Sequence, residues 1–418
     1  MKADAEDLYF TYYNHYERGS NYLTSMNIDW DKTEIRDDLT VAFYCTTPNR
    51  AIMETVIHLM SKDFADEVGS YESEKWFYPA CSGPYEVVDY AYDDHITLKL
   101  RDDYWKRSAD EYYVDEYDIT YYKDASSLYM ELELGNIDLC EILGSDYSRY
   151  MKDDDDSRNY NVYLDSSGAC FFLNFGFRDN DIWYNKDLRT AIAYGVNWPE
   201  LGMLIDGDLY KPANSFIPAD SPSYYDAGNW EYNLDLAKEY LEKAGYGPGE
   251  LTVKACCMDT PKYKNFGQAM TGYLNNMGIN VDFQYADVSA AIANWLEQGN
   301  NDLMLKYNSG GATQHNMYQS VQESAWEQGV SWTYIPDEHY QAMYDILEDP
   351  TVSYEEKIET EKEMQKYLHD EVLALPISEY ALAFGYNSDL LTPEVVDPIT
   401  FGISYQLSVL GLKSTWGK

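Results

Sequence analysis

No apolar run in this chain is long enough to read as a membrane-spanning helix, which needs ~18 or more such residues. Basic residues are also scarce. There are 30 Lys and Arg against 73 Asp and Glu, a net charge of −43, and such a surface repels phosphate backbones and anionic lipid heads. No nucleic-acid partner is expected. The charge reads first as a solubility device and second as a weak attraction for cationic solutes. The cysteines, at positions 45, 81, 140, 170, 256 and 257, form no CxxC pair, and the histidines, at 15, 58, 95, 315, 339 and 369, do not cluster. No zinc site is expected on that spacing. The GxSxG, HExxH, GxGxxG and P-loop patterns are missing, so no catalytic signature stands out and no cofactor is expected. An acid pair suited to glycoside hydrolysis could be drawn anywhere among so many carboxylates. The run Asp153 to Asp156 lacks the glycine and spacing of a calcium loop and reads as solvated. The N-terminal "MKADAEDLYFTYYNHYERGS" has no apolar core followed by a small-residue cleavage site, so no signal peptide is read in this chain.

What is present is material for a sizeable core. The chain has 418 residues, 45% apolar and 16% aromatic, enough for two or three domains. Strand-like and helix-like segments intermix without repeats, which predicts a mixed α/β protein. In "SGPYEVVDYAYDDHITLKLRDDYWK", Gly83 and Pro84 punctuate the chain before a strand-like run. Ile96, Leu98 and Leu100 then alternate with Thr97 and Lys99, and Asp93 and Asp94 separate the two runs, so the stretch predicts a β-hairpin. "NLDLAKEYLEKAGYGPG" predicts a helix with Asn233 as N-cap and Gly245 as left-handed C-terminal cap. After it come "ELTVKACCM", "NFGQAMTGYLNNMG" and "INVDFQYA", a β-α-β unit that predicts parallel strands. Adjacent Cys256 and Cys257 point to opposite faces of the first of these strands. The cysteines read as mostly buried small hydrophobes, with one bridge left open. Trp198-Pro199 splits a helix pair, with Pro199 at a helix start.

The order of five segments resembles a family. These are the Gly-Pro-Tyr hairpin followed by Tyr104-Trp105, then Leu134, Gly135, Ile137 and Asp138 in "LGNID". "FFLNFGFRDNDIWYNKDLRTAIAYGVNWPEL" follows, with Leu188, Arg189, Ala191 and Ile192, then "KPANSFIPADSPSYY" and "LAKEYLEKAGY". In this order they resemble the extracytoplasmic solute-binding proteins of ABC importers, family 5, the peptide- and nickel-binding type. The resemblance implies an α/β fold of two lobes, periplasmic-binding-protein-like and class II, with mixed sheets, flanking helices and a ligand cleft between the lobes. It divides the chain as a remnant of a small accessory domain at 1–80, lobe I at 81–180, lobe II at 181–395 and a return to lobe I at 396–418. Set against the family, the chain is expected to be N-terminally truncated, its full-length parent being periplasmic or anchored at the cell surface as a lipoprotein.

The same resemblance implies a monomeric, non-enzymatic receptor that hands a small solute or oligopeptide to a membrane permease and its ATPase. It places Ser82 beside Cys81 and Gly83 on the hinge side. Asn174, Phe175 and Gly176 fall near the lobe boundary, and Tyr307, Asn308, Ser309, Gly310 and Gly311 form a cleft loop, with Asn316 and Tyr318 lining it. His315, nearest that loop, is expected to be a hydrogen-bonded polar residue and not a metal ligand. Peptide-binding members carry an Asp here that pairs with the peptide α-ammonium. Asn308-Ser309-Gly310-Gly311-Ala312 contains no carboxylate, and an ammonium buried without a counter-charge costs several kcal/mol. Peptide recognition therefore needs a substitute acid. The flat rings of 43 tyrosines leave an oligosaccharide ligand as an alternative, beside a metal chelate and, more distantly, a secreted glycoside hydrolase.

Overall fold

Asp93 adopts a positive φ of 56° in the computed structural model, and this tight turn closes the hairpin that the sequence predicts between Tyr85–Ala91 and His95–Leu100. The structure describes residues 3–18, 26, 28–46, 59–69, 73–78, 83–104, 115–151, 159–177, 180–219, 221–287, 290–291, 294, 301–308, 338–349, 351–391 and 410–415, with backbone alone at 74, 77, 165–169, 261–262, 306–308, 348, 380 and 410–415. The chain divides into two compact units, Met1–Leu143 with Tyr147–Asp165 and Leu382–Lys418, and Gly144–Asp146 with Ser166–Ala381. The long crossings therefore fall at 165/166 and 381/382, where the sequence reading had drawn them at 180/181 and 395/396.

In the first unit, helix α1 (Ala5–Glu17) starts from a reciprocal cap. The Asp4 carboxylate accepts from the amides of Glu6 and Asp7, and Asp7 accepts from the amide of Asp4. Tyr9, Tyr13 and Tyr16 on α1 meet the Trp30 ring, and Tyr12 meets Phe43. This aromatic cluster sits beside the short hairpin β1 (Glu34–Asp37) and β2 (Thr40–Ala42), and α2 (Lys62–Val68) follows. The main sheet of this unit holds β3 (Tyr85–Ala91), β4 (His95–Leu100), β5 (Glu116–Tyr121) and β6 (Leu139–Ile142). It also holds β13 (Leu410–Thr415) and the last part of β12 (Ala374–Asn387), in the antiparallel order β12-β6-β13-β5-β4-β3. Edge strand β3 carries an irregularity between Val87 and Asp89, a device that blunts edge-to-edge pairing.

Three residues of the "LGNID" segment, Gly135, Ile137 and Asp138, have a clear physical reason. Helix α3 (Ala125–Glu133) ends at Gly135, whose φ of 73° is left-handed. Ile137 then turns inward, and buried Asp138 accepts from the Asn387 side chain at 3.0 Å while its carbonyl accepts the Asn387 amide at 2.8 Å. The motif thereby fixes the end of β12 beside β6.

The second unit is built around one main apolar cluster. Strand β7 (Tyr160–Phe175) enters it with Phe171, Phe172, Leu173 and Phe175, and helices α4 (Lys186–Gly195) and α5 (Trp198–Asp206) pack on it through Leu188, Ile192, Trp198 and Leu201. A two-residue strand, β8 (Lys211–Pro212), pairs with β12 at Ser378. Helix α6 (Leu234–Lys243) is capped by Asn233, which accepts from the Leu236 amide at 3.0 Å. At its other end Gly245 has φ 96°, with Gly245 N–H on the Glu242 carbonyl and Tyr246 N–H on that of Leu241, a complete Schellman termination. β9 (Thr252–Met258), α7 (Pro261–Met277) and β10 (Asn280–Ala286) form the predicted unit, and the strands pair in parallel from Asn280↔Thr252 to Ala286↔Met258. β11 (Leu303–Asn308) joins β9 in parallel and β7 antiparallel. Helices α8 (Glu338–Glu348) and α9 (Tyr354–Asp370) complete the unit. Cys257 lies in the main cluster, while Cys256 packs with Ala291 and Met304 in a separate one, as the alternation of a strand requires. Cys45, Cys140, Cys170, Cys256 and Cys257 are free thiols; Cys81 lies outside the described residues.

His95, at the start of β4, lies 2.7 Å from Asp94 and 3.4 Å from Asp89. Its hydrogen bond to Asp94, then that to Asp89, raises its pKa above the ordinary imidazole value. Because the folded value is the higher one, this contribution to stability is fully present below the unfolded value of about 6.5 and is lost as pH rises through the folded value. An NMR titration is expected to place the His95 midpoint above that of a free imidazole and to bring it down in Asp94→Asn.

Candidate functional site

Of the residues that the sequence reading nominated for ligand binding, the structure describes four, two on β7 and two on β11. Ser82, Ser309, Gly310, Gly311, Asn316, and with them His315 and Tyr318, lie outside the described residues. Asn174 and Phe175 end β7, and Tyr307 and Asn308 end β11.

Antiparallel pairing puts these two pairs at opposite ends of one ladder. Asn174 faces Met304 and Phe175 faces Leu303, whereas Tyr307 faces Phe171 and Asn308 faces Cys170. At about 3.3 Å per residue, the Asn174 and Asn308 positions are roughly 13 Å apart along the strands. Two expectations change here. Tyr307 and Asn308 are strand residues with paired backbones and not part of a loop. Phe175 is fully buried, tilted against Trp183 with centroids 5.1 Å apart and edge-on to Phe177; it packs the core of the second unit. Asn174, also buried, lies across from Met304, which in turn pairs with Cys256, so the three form one row over β7, β11 and β9. That row occupies the face away from Phe175, Leu303 and Leu305. All of these residues belong to the second unit, beyond its 165/166 boundary.

Three polar groups that the sequence reading did not nominate hold this region in place. Asp302, buried at the head of β11, accepts from the Asn180 side chain at 3.0 Å, the Trp183 indole at 3.2 Å and the Lys254 amide at 2.7 Å. Arg189, buried in α4, donates to the carbonyls of Trp183 at 2.6 Å, Glu371 at 2.6 Å and Val372 at 2.8 Å, and its guanidinium lies 5.2 Å from the Phe177 ring. Burial pushes its pKa down to about 10, against the pull of the Glu371 charge, so it stays a cation at neutral pH. It also fixes Val372, a β-branched residue with a φ of 53°, a conformation that needs outside support. Gln365, fully buried in α9, accepts from the Ser215 hydroxyl at 2.7 Å and the Tyr225 amide at 3.2 Å, and donates to the carbonyls of Ser223 and Glu361. That pins the "KPANSFIPADSPSYY" segment at Ser215 and at its Ser223–Tyr225 end. Arg189 was visible as part of a motif; Asp302 carried no local signal beyond being a polar residue beside an apolar run, and Gln365 none within its polar helix.

Among the described residues no group of three or more His, Cys, Asp or Glu side chains is arranged to hold a metal ion. No helix among them is long and apolar enough to cross a membrane.

Two units of mixed sheet and helix, exchanged through long strands, are the architecture of two-lobed periplasmic binding proteins, and comparisons with known proteins bear this out. A Pseudoalteromonas dipeptide-binding protein solved with Met-Leu matches with a TM-score of 0.77 at 16% identity, over 99% of this chain and 84% of that one. A nickel-binding protein, NikA, from Staphylococcus aureus, solved with Ni(L-His)2, matches with a TM-score of 0.70 at 18% identity, over 95% of this chain and 83% of that one. The family model of the bacterial extracellular solute-binding proteins, family 5, matches residues 2–328; the chain belongs to that family. In sequence it is 22% identical over 265 residues to the dipeptide-binding protein DppE of Bacillus subtilis, a match covering 60% of this chain and 47% of that relative. The chain thus spans about half the length of that relative.

Phe175→Ala is expected to lower stability in urea unfolding by about 3 to 5 kcal/mol, the range for removing a buried aromatic ring. A loss below ~0.5 kcal/mol, typical of surface positions, would return Phe175 to the list of ligand contacts.

Proposed function

We propose that this chain is the solute-capturing receptor of an ABC importer, that its solute is a short peptide, and that it works outside the cytoplasm as a monomer, without chemistry of its own. The observation that carries the peptide reading is the similarity to dipeptide-binding proteins, in sequence to that of B. subtilis and in fold, over nearly the whole chain, to one solved with Met-Leu. In this reading Ser82, Asn174, Tyr307 to Gly311 and Asn316 take part in the ligand site, and the cognate permease and ATPase are the partners. Phe175 leaves the site and supports it from the core.

One observation favours a second reading. No acid occurs from Asn308 to Ala312, so an ammonium held there has no counter-charge, and a nickel chelate of the kind in the NikA structure needs none at that position.

Thermal unfolding with saturating Met-Leu or Ni(L-His)2 separates the two. A binder present at 100 times its Kd stabilises by about 2.7 kcal/mol, so a rise in Tm with Met-Leu alone supports the peptide reading and a rise with the chelate alone supports the other. Substrate turnover, with no solute raising the Tm, overturns the receptor reading. If Met-Leu binds, Gly311→Asp is expected to tighten it about tenfold, or about 1.4 kcal/mol. Unchanged affinity would mean that the missing acid belongs elsewhere in the chain.

A further inference from the structure

The six residues of β11, Leu303 to Asn308, begin with three apolar side chains in succession, Leu303, Met304 and Leu305. Such a run specifies its register poorly, because a slip by one residue still presents an apolar side chain to each face. Yet the observed register is definite, with Leu303 and Leu305 in the main core and Met304 on the other face with Cys256.

The residue just before this run removes the ambiguity. Asp302 N–H donates to the Lys254 carbonyl at 2.9 Å, and its own carbonyl accepts the Gly176 amide at 2.8 Å. Its carboxylate takes three further N–H groups: Oδ1 from Asn180 Nδ2 and Trp183 Nε1, and Oδ2 from the Lys254 amide. One residue therefore joins the head of β11 to β9, to the end of β7 and to the 3-10 turn Asp181–Tyr184. Among the described residues its side-chain partners are all neutral donors. Three converging donors call for a group that only accepts, and a carboxylate has two such oxygens. An amide has one, and its NH2 would oppose a donor; an apolar side chain would strand the Trp183 and Lys254 N–H groups in the interior.

We infer that Asp302 is a positioning residue for ligand capture: it locks the register of β11 and thereby sets where the backbone of Tyr307 and Asn308 stands. The inference rests on the reading that these two residues belong to the ligand site. A shift of one residue at Leu303 moves every later pair by the same step, so the far end of the strand answers to the carboxylate at its head.

The test uses the whole chain carrying Asp302→Asn, with Ala237→Gly, a buried change in α6, as a comparator that lowers stability away from β11. Two measurements are made: hydrogen exchange at the amides of 303–308, and affinity for Met-Leu and for Ni(L-His)2. In Asp302→Asn, exchange across 303–308 is expected to speed up about tenfold or more relative to α7. Affinity for whichever probe binds the unaltered chain is expected to fall about tenfold or more, while the comparator keeps its affinity despite a lower Tm. Unchanged exchange at 303–308, or an affinity loss no larger than the comparator's, overturns the inference. If the unaltered chain binds neither probe, the ligand reading fails and the exchange data alone decide whether Asp302 sets the register. Asp302→Glu, which keeps the charge but moves the oxygens outward, takes the place of the amide variant if that one does not fold, with the same expected results.

Discussion

Trp183 joins the two buried charges on which the second unit depends. Its indole donates to Asp302 and its carbonyl accepts from Arg189, so one fully buried residue presents the positive end of one dipole to an anion and the negative end of another to a cation. Among the described residues neither charge hydrogen-bonds to an opposite charge; each is satisfied by neutral groups instead. Isolated charges in an apolar interior are costly, and the arrangement is stable only if every donor and acceptor is supplied at once. This ties distant segments together. The 3-10 turn cannot move without disturbing both the head of β11 and the Glu371-Val372 turn.

The consequence is a division of labour within the unit. The apolar cluster supplies most of the driving force, through area removed from water, but it is tolerant of small shifts, as the Leu303-Met304-Leu305 run illustrates. The polar anchors supply geometry. Asp302 fixes a strand, Arg189 fixes a strained turn, and Gln365 fixes a long irregular segment against α9. Each acts where apolar patterning alone leaves more than one arrangement open.

That division also explains what could be read from the sequence. Features settled by neighbours in the chain were legible: the caps at Asn233 and Gly245, the parallel β9-α7-β10 unit, the opposite faces of Cys256 and Cys257, and the turn at Asp93. The family and its fold were legible from the order of five short segments. The anchoring roles were not, even for Arg189 in its motif, because the partners lie 119 residues away for Asp302 and Trp183, 150 for Gln365 and Ser215, and 183 for Arg189 and Val372. No local rule reaches so far. Phe175 was misjudged for a related reason. In "FFLNF" every residue but Asn174 is apolar, and such a run cannot say which end meets solvent or which face meets the core.

On the proposed reading of the ligand site, ligand choice and fold are written in different places. The ladder of β7 and β11 is held by residues whose replacement endangers the interior, so it changes little without loss of the unit. In Asn308-Ser309-Gly310-Gly311-Ala312 the acid expected of a peptide-binding member is gone, while β11, which leads to that point, is paired with β7 from Leu303 to Asn308. On that reading a strand held at its head by Asp302 can carry different chemistry at its tip at little structural cost, because the anchor and the tip are five or more residues apart.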